Sequence, residues 1–242
     1  MKFYDLHVQS NFSEGENSIE ELAKFAKNLG YSGIAVCDYF ESMEKLRKLK
    51  EIIKSMDIDI EVFPGVEIRT KSVEELKEII KKVREEVLIV VVSGGNYLIN
   101  RAACEDSRVD ILAHPELGRN DSGLDHICAR AAAENNVAIE INFREMLYSF
   151  RKPRSHIFAH ISRNIKLCTK FNTPLVICSG ARSIWDMRGA RELVSVANTL
   201  GLDLSKAFAA VTSTPQQIIE DNKKKLEGKK ITEGVEIVED NG

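Results

Sequence analysis

Short apolar runs alternate along this chain with segments whose apolar positions recur every three or four residues. The runs read as strands, the periodic segments as helices with one buried face. The opening run begins at Phe3, ends at His7 and gives way to small polar residues. Ser18 then caps a helix, with Glu21 completing a capping box and Ile19, Leu22, Ala26 and Leu29 on the inner face. Gly30 stops that helix. Residues 33–37 form the second strand, ending at Asp38. Ser42 caps a helix with Met43, Leu46, Leu49 and Ile53 on one side. A third strand over 58–63 leads through Pro64-Gly65 to Val66, Glu67 and Ile68. Ser72 caps the next helix, with Val73, Leu76, Ile80 and Val83 inward. Residues 87–92, 109–113, 137–141 and 175–178 supply four more strands, ending at Ser93, His114-Pro115, Asn142 and Ser179-Gly180.

Right-handed β-α-β crossovers repeated this often tend to close on themselves. The expected fold is therefore α/β, a TIM-barrel-like (β/α) barrel with seven or eight parallel strands and additional helices. Residues 207–211 are a candidate for the eighth strand and equally suit a helix. Ser213-Thr214-Pro215 opens a last helix, with Thr214 as N-cap and Pro215 at its first position. Residues 1–227 read as one domain and 228–242 as a charged, flexible tail.

Composition narrows the class without naming a function. The chain has 242 residues, 43% hydrophobic and 29% charged, an ordinary globular mix that argues against disorder. Its longest apolar run, 87–92, is far too short for a membrane span, and the N-terminus has no secretion pattern. Cys37, Cys104, Cys128, Cys168 and Cys178 are odd in number, form no Cys-x-x-Cys pair and lie in apolar segments. They read as reduced core residues of a cytoplasmic protein. The net charge of −3 leaves nucleic-acid binding to a local patch if it occurs at all.

In barrels, function gathers at the C-terminal ends of the strands. Here those ends carry His7, Gln9, Asp38, Glu67, Arg69, Ser93, Asn96, His114, Arg119, Asn142, Arg144, Ser179 and Arg182. Metal hydrolysis requires imidazoles and carboxylates around one cation with a position open for water. Only His7, Glu67 and His114 are candidates for that role. The alternative is a set of hydrogen-bonded residues lining a closed mouth.

Asp5-Leu6-His7-Val8-Gln9, followed by Ser13-Glu14-Gly15, resembles the first motif of the polymerase-and-histidinol-phosphatase family of metal phosphoesterases. That motif reads Asp-x-His-x-His and then Ser-Asp-Gly, so Gln9 replaces a His and Glu14 an Asp. The family's Thr-Asp-His appears as Cys37-Asp38-Tyr39, and its Ser-Asp-Ala-His as Ser179-Gly180-Ala181-Arg182. Gly65-Val66-Glu67 and His114-Pro115 are kept. The resemblance makes His7, Glu67 and His114 remnants of a degraded metal site. Arg182 sets a permanent cation at a ligand position, which repels a metal and attracts phosphate.

Together with Glu140-Ile141-Asn142-Phe143-Arg144 and Ile177-Cys178-Ser179-Gly180-Ala181, the pattern is similar to the barrel protein subunits of archaeal and eukaryal ribonuclease P. The similarity runs over about residues 2–222. It implies a chain with no catalytic residue of its own, in a holoenzyme whose RNA matures tRNA 5′ ends. It implies Mg2+ for that RNA-based holoenzyme and no cofactor bound by the chain. The implied partners are ribonuclease P RNA, a small α/β protein subunit, other protein subunits and, indirectly, pre-tRNA, with no membrane. Two alternatives stay open: a one-metal phosphoesterase on His7, Glu67 and His114, and a barrel binding a small phosphorylated metabolite at an arginine-lined mouth.

Residues 143–155 read as a connection of thirteen residues, longer than the roughly two to six usual in such folds. It holds Arg144, Arg151, Lys152 and Arg154, with Tyr148 and Phe150 interleaved. Over 144–170, seven Lys and Arg face one acid, Glu145, a local charge of +6 that leaves −9 on the rest of the chain. With Arg69, Arg119 and Arg182, these four are the candidate RNA- or phosphate-binding residues. A solvated loop beside an ordinary basic helix face is the plainer alternative. His156 and His160 have metal-like spacing but lack the Glu of a zinc-protease helix. His126 is expected at the edge of its helix. Ser93-Gly94-Gly95-Asn96 is either a phosphate-binding turn or turn geometry alone. Trp185 reads as core or partner interface before base-stacking platform.

Overall fold

The computed structural model describes residues 1–228, 230–232 and 235–236. Seven parallel strands lie side by side in sequence order: β1 (Tyr4–Val8), β2 (Gly33–Val36), β3 (Glu61–Ile68), β4 (Ile89–Ser93), β5 (Ile111–Ala113), β6 (Ala138–Asn142) and β7 (Leu175–Cys178). Around them run α1 (Ile19–Asn28), α2 (Met43–Ser55), α3 (Val73–Val83), α4 (Tyr97–Cys104), α5 (His126–Glu134), α6 (Phe143–Tyr148) and α7 (Lys152–Phe171). After β7 come α8 (Ala190–Thr199), α9 (Leu204–Ala209) and α10 (Ser213–Leu226). The barrel expected from the alternation is present. Ser18, Ser42 and Ser72 cap α1, α2 and α3, with the Ser18–Glu21 box closed in both directions. Phe63, Ile89, Val91, Ile111 and Val176 pack together in one cluster, and two further apolar clusters lie beneath the helices.

The eighth position is where the structure departs from the pattern. One parallel bridge, Val8 to Ala181, joins β1 to the chain beyond β7, with Gln9 N donating to Ala181 O at 2.8 Å. At the opposite end of the gap, Tyr4 N donates to Val211 O at 3.0 Å and Ile177 N to Ala210 O at 3.1 Å. Residues 207–211 are therefore the end of α9 and the turn after it, lending carbonyls to the sheet without becoming a strand. Ala207, Ala210 and Val211 are buried, and so short a buried run has no period that separates strand from helix.

Three boundaries also move. β3 starts at Glu61 and continues unbroken through Pro64-Gly65. Its first half pairs with β2 and its second with β4, so Pro64 stands at the hand-over. The donor that proline lacks falls just before the β4 ladder begins. At Gly65 a Cβ would lie 2.4 Å from Cys37 Sγ, so β2 can approach only a glycine there. α10 begins at Ser213 after Thr212, which places Pro215 third in the helix, still within the turn that needs no donor. Residues 143–155 are not a long loop: α6 starts directly on β6, with the Asn142 side chain accepting from Glu145 N. Only 149–151 link it to α7, whose first turn holds Pro153. Six residues are too few to announce a helical period.

The turn after β4 is held by Asn100 of α4. Its Nδ2 donates to Pro115 O and Gly123 O, both at 2.9 Å, and its Oδ1 accepts from Gly95 N at 3.1 Å. Gly94 N donates to Ala113 O at 2.8 Å. Both glycine amides are spent inside the turn, which settles it as turn geometry. Asn100→Ala would strand these buried groups, at a cost of about 2 kcal/mol. Calorimetry should record a melting temperature lower by roughly 4–8 °C.

All five cysteines are buried and unbridged. The expected tail, 228–242, falls largely outside the described residues; within it Lys230–Thr232 pairs antiparallel with Val235–Glu236. No helix among the described residues is long and apolar enough to cross a membrane.

Candidate functional site

Between Asp5 and Val8, β1 holds one residue more than β2 beside it. Such an irregularity changes the parity of a strand. Tyr4 and Leu6 join the same buried cluster as Phe63 and Ile89, and His7 and Gln9 beyond them turn to the same side to meet Glu67. Asp5 accepts from His7 N and Ser179 N, each at 3.2 Å, and so ties this irregularity to the end of β7. Burial pushes the Asp5 carboxyl up to about 6.

Glu67 on β3 and Glu140 on β6 close on His7 from two sides. His7 Nδ1 lies 2.8 Å from Glu140 Oε1, and Nε2 lies 3.0 Å from Glu67 Oε2. Gln9 donates to Glu67 Oε2 at 2.7 Å, His114 Nε2 lies 3.3 Å from Glu67 Oε1, and Asn142 donates to Glu140 Oε2 at 2.9 Å. The three expected remnants, His7, Glu67 and His114, are thus brought together and wholly buried. Burial acts to lower the His7 imidazole, but Glu140 and Glu67 outweigh it and hold it well above its ordinary value. Burial acts upward on both carboxylates, and the charge and hydrogen bonds of His7 bring each below its ordinary value.

Glu140 is the site residue that sequence reasoning missed. The available signal is a carboxylate inside an apolar strand, in step with Asn142, because a buried charge demands a partner. That partner lies 133 positions away and cannot be read from local pattern.

These residues do not fit a resident divalent metal. A metal-bound imidazole must offer a lone pair. Both nitrogens of His7 face carboxylates, and satisfying both takes a proton on each, which leaves no lone pair. Over the cluster, Gln9 Oε1 accepts from Arg182 Nε at 3.0 Å and from Arg144 at 3.3 Å. Among the described residues, no group of three His, Cys, Asp or Glu is arranged to hold a metal ion. This geometry does not favour the one-metal phosphoesterase reading.

The seven basic candidates part company. Arg144 is buried, donates to Gly180 O at 2.9 Å and lies 3.6 Å from Glu145. Gly180 has φ +60°, and a Cβ there would lie 2.4 Å from the Asn142 amide, so this close approach needs a glycine. Arg69 and Arg182 both pair with Glu14, at 2.9 and 2.6 Å, and Arg69 stacks 3.8 Å over the Tyr39 ring. Arg119 pairs with Asp121 at 2.6 Å. The expected arginine-lined mouth is therefore only partly open to an anion, because Arg69 and Arg182 share Glu14 and Arg144 turns inward. Arg151, Lys152 and Arg154 stand exposed at the start of α7. Trp185 is 74% exposed, which removes the core half of its expected role. It sits in a single 3-10 turn whose Asp186 accepts from the Tyr148 hydroxyl at 3.0 Å. His126 opens α5 at the surface, and His156 and His160 lie on α7 with ring centroids 6.3 Å apart.

Comparison with known proteins decides the family. Residues 2–227 match the family model described as RNase P subunit p30. The chain belongs to the p30 family. Ribonuclease P protein component 3 of Methanosarcina mazei is 36% identical over 238 residues, 98% of this chain and 96% of that protein. Among solved structures, a chain in the cryo-electron microscopy structure of archaeal ribonuclease P with mature tRNA superposes with a TM-score of 0.79 at 31% identity. The match covers 98% of this chain and 99% of that one. A histidinol phosphate phosphatase from Lactococcus lactis, complexed with zinc, L-histidinol and phosphate, superposes with a TM-score of 0.59 at 12% identity. It covers 84% of this chain and 95% of that one, a likeness of fold alone. Within that shared barrel this p30-family chain holds a buried ionic cluster at the strand ends in which His7 pairs with Glu67 and Glu140.

Proposed function

We propose that this chain is a barrel protein subunit of ribonuclease P that supports the catalytic RNA without cutting. One observation carries the non-catalytic part: the Glu67–His7–Glu140 cluster spends its groups on itself beneath Gln9 and two arginines. Membership of the p30 family and the likeness to a chain of an archaeal ribonuclease P support the assembly part. On this reading the partners are ribonuclease P RNA, the small α/β protein subunit and the other protein subunits, with pre-tRNA met through the complex. Mg2+ belongs to the RNA-based holoenzyme, the chain carries no cofactor of its own, and its place is the cytoplasm.

Reconstitution tests this. The RNA and protein subunits are combined with and without the chain, and release of a pre-tRNA 5′ leader is followed in Mg2+. The chain should raise the rate of the complex and release no leader alone. An unchanged rate overturns the proposal, as does leader release by the chain alone that His114→Ala abolishes.

A further inference from the structure

α7 is a twenty-residue helix without one acidic residue. Its inner face, Ile161, Asn164, Ile165 and Cys168, is buried. On its outer face Lys152, His156, Ala159, Arg163, Lys166 and Lys170 are all exposed, at alternating steps of four and three residues. That spacing draws one line along an α-helix, about 27 Å from end to end. Phe150, 67% exposed, stands just before the line with the Arg151 guanidinium 5.2 Å over its ring.

Several cations on other helices of this chain are paired with an acid one turn away. Lys24 pairs with Glu20, Lys45 with Glu41, Lys48 with Glu44 and Arg101 with Glu105. Among the described residues, Lys152, Arg163, Lys166 and Lys170 form no ion pair. Four of the seven cations noted for 144–170 therefore keep their charge uncancelled and fall on one line.

We propose that the outer face of α7 is a track for the phosphate backbone of RNA, an inference that rests on the ribonuclease P reading above. A row in which only His156 and Ala159 separate the four cations holds no large apolar side chain of the kind that anchors protein–protein contacts. A membrane-surface helix needs an open apolar face, and the apolar face of α7 is buried in the core. A phosphate backbone is recognised by charge and spacing and needs neither. The exposed Phe150 adds a surface for an unstacked base at the head of the track.

The test is the salt dependence of binding between the full chain and its ribonuclease P RNA. A variant with Lys152→Gln, Arg163→Gln, Lys166→Gln and Lys170→Gln is compared with one carrying Lys24→Gln, Lys27→Gln, Lys45→Gln and Lys48→Gln, an equal loss of charge from α1 and α2. Each phosphate contact contributes roughly 0.7–0.9 to the slope of log affinity against log salt, so the α7 variant should lose about 3. The α1/α2 variant and Arg163→Lys should keep the parent slope. Lys166→Gln alone should lose about one contact's worth, which reads the same point with minimal disturbance of the helix. An unmoved slope in the fourfold α7 variant and in Lys166→Gln overturns the proposal, as does an equal loss in the α1/α2 variant. Poly-L-glutamate competing as well as unlabelled RNA at equal charge overturns it in favour of an acidic protein. If the chain raises leader release while the slope stays unmoved, the track alone falls. If the slope moves and release does not rise, the track stands and the ribonuclease P reading falls.

Discussion

His7→Ala should lower the melting temperature by roughly 6–20 °C, corresponding to about 3–5 kcal/mol. The imidazolium sits between two fully buried carboxylates, at 2.8 and 3.0 Å. Its attraction to each offsets the desolvation of all three groups, and removing it leaves Glu67 and Glu140 as neighbouring buried charges. Removing the charges with it should be milder, because neutral amides are less costly to bury than unpaired carboxylates. Glu67→Gln and Glu140→Gln, added to His7→Ala, should therefore recover a large part of the loss. Calorimetry on the three-way series checks both steps, and a single variant melting within 2 °C of the parent, an arbitrary margin of about 1 kcal/mol, sinks the pairing. The pH dependence has a definite sign. Glu67 and Glu140 are depressed, so their contribution is present above their ordinary 4.5 and is lost as pH falls through their folded values. His7 is raised, so its contribution is complete below 6.5 and is lost only as pH climbs through a folded value well above that. The cluster thus favours a stability plateau through neutral pH.

Glu116→Gln should stabilise the protein at pH 8 by up to about 3 kcal/mol and leave it nearly unchanged at pH 4. Glu116 is buried just past β5, and its Oε1 has no hydrogen-bond partner among the described residues. Burial is the main force that raises its carboxyl from 4.5 to about 7. A raised folded value means that the native state keeps a proton the unfolded chain gives up. Its contribution is therefore complete below 4.5 and is lost as pH rises to about 7. Gln keeps the shape and stays neutral, so the loss disappears. Thermal melts of both proteins from pH 4 to pH 8 measure the gap, and parallel curves across that range defeat the prediction.

Local features transferred well from sequence to structure. The capping box of Ser18 and Glu21 and the caps at Ser42 and Ser72 depend on residues three apart. Continuous apolar runs marked β4 and β7 because a parallel strand covered on both faces has no polar side to display. α6 was hidden because its helical state follows from Asn142 and from the barrel beneath Arg144 and Met146, not from a period of its own. The motif reading of His7, Glu67 and His114 located a true meeting point. It did not foresee that Glu140 would enter it and close it.

By itself the sequence determined the alternating (β/α) order, the parallel strands, the reduced cysteines and the segment where positive charge collects. Each of these rests on period, neighbouring residues or composition. Only the tertiary structure decided what the opening stretch became. The irregularity in β1 turns His7 and Gln9 towards Glu67, 60 and 58 positions away, and Arg182 reaches Gln9 across 173. It also decided which cations remain available: Glu14 takes Arg69 and Arg182, Arg144 is buried, and α7 keeps an exposed line that its own sequence leaves without acids. Charge pairing and burial between distant strands depend on where the barrel places them, and no local pattern carries that information.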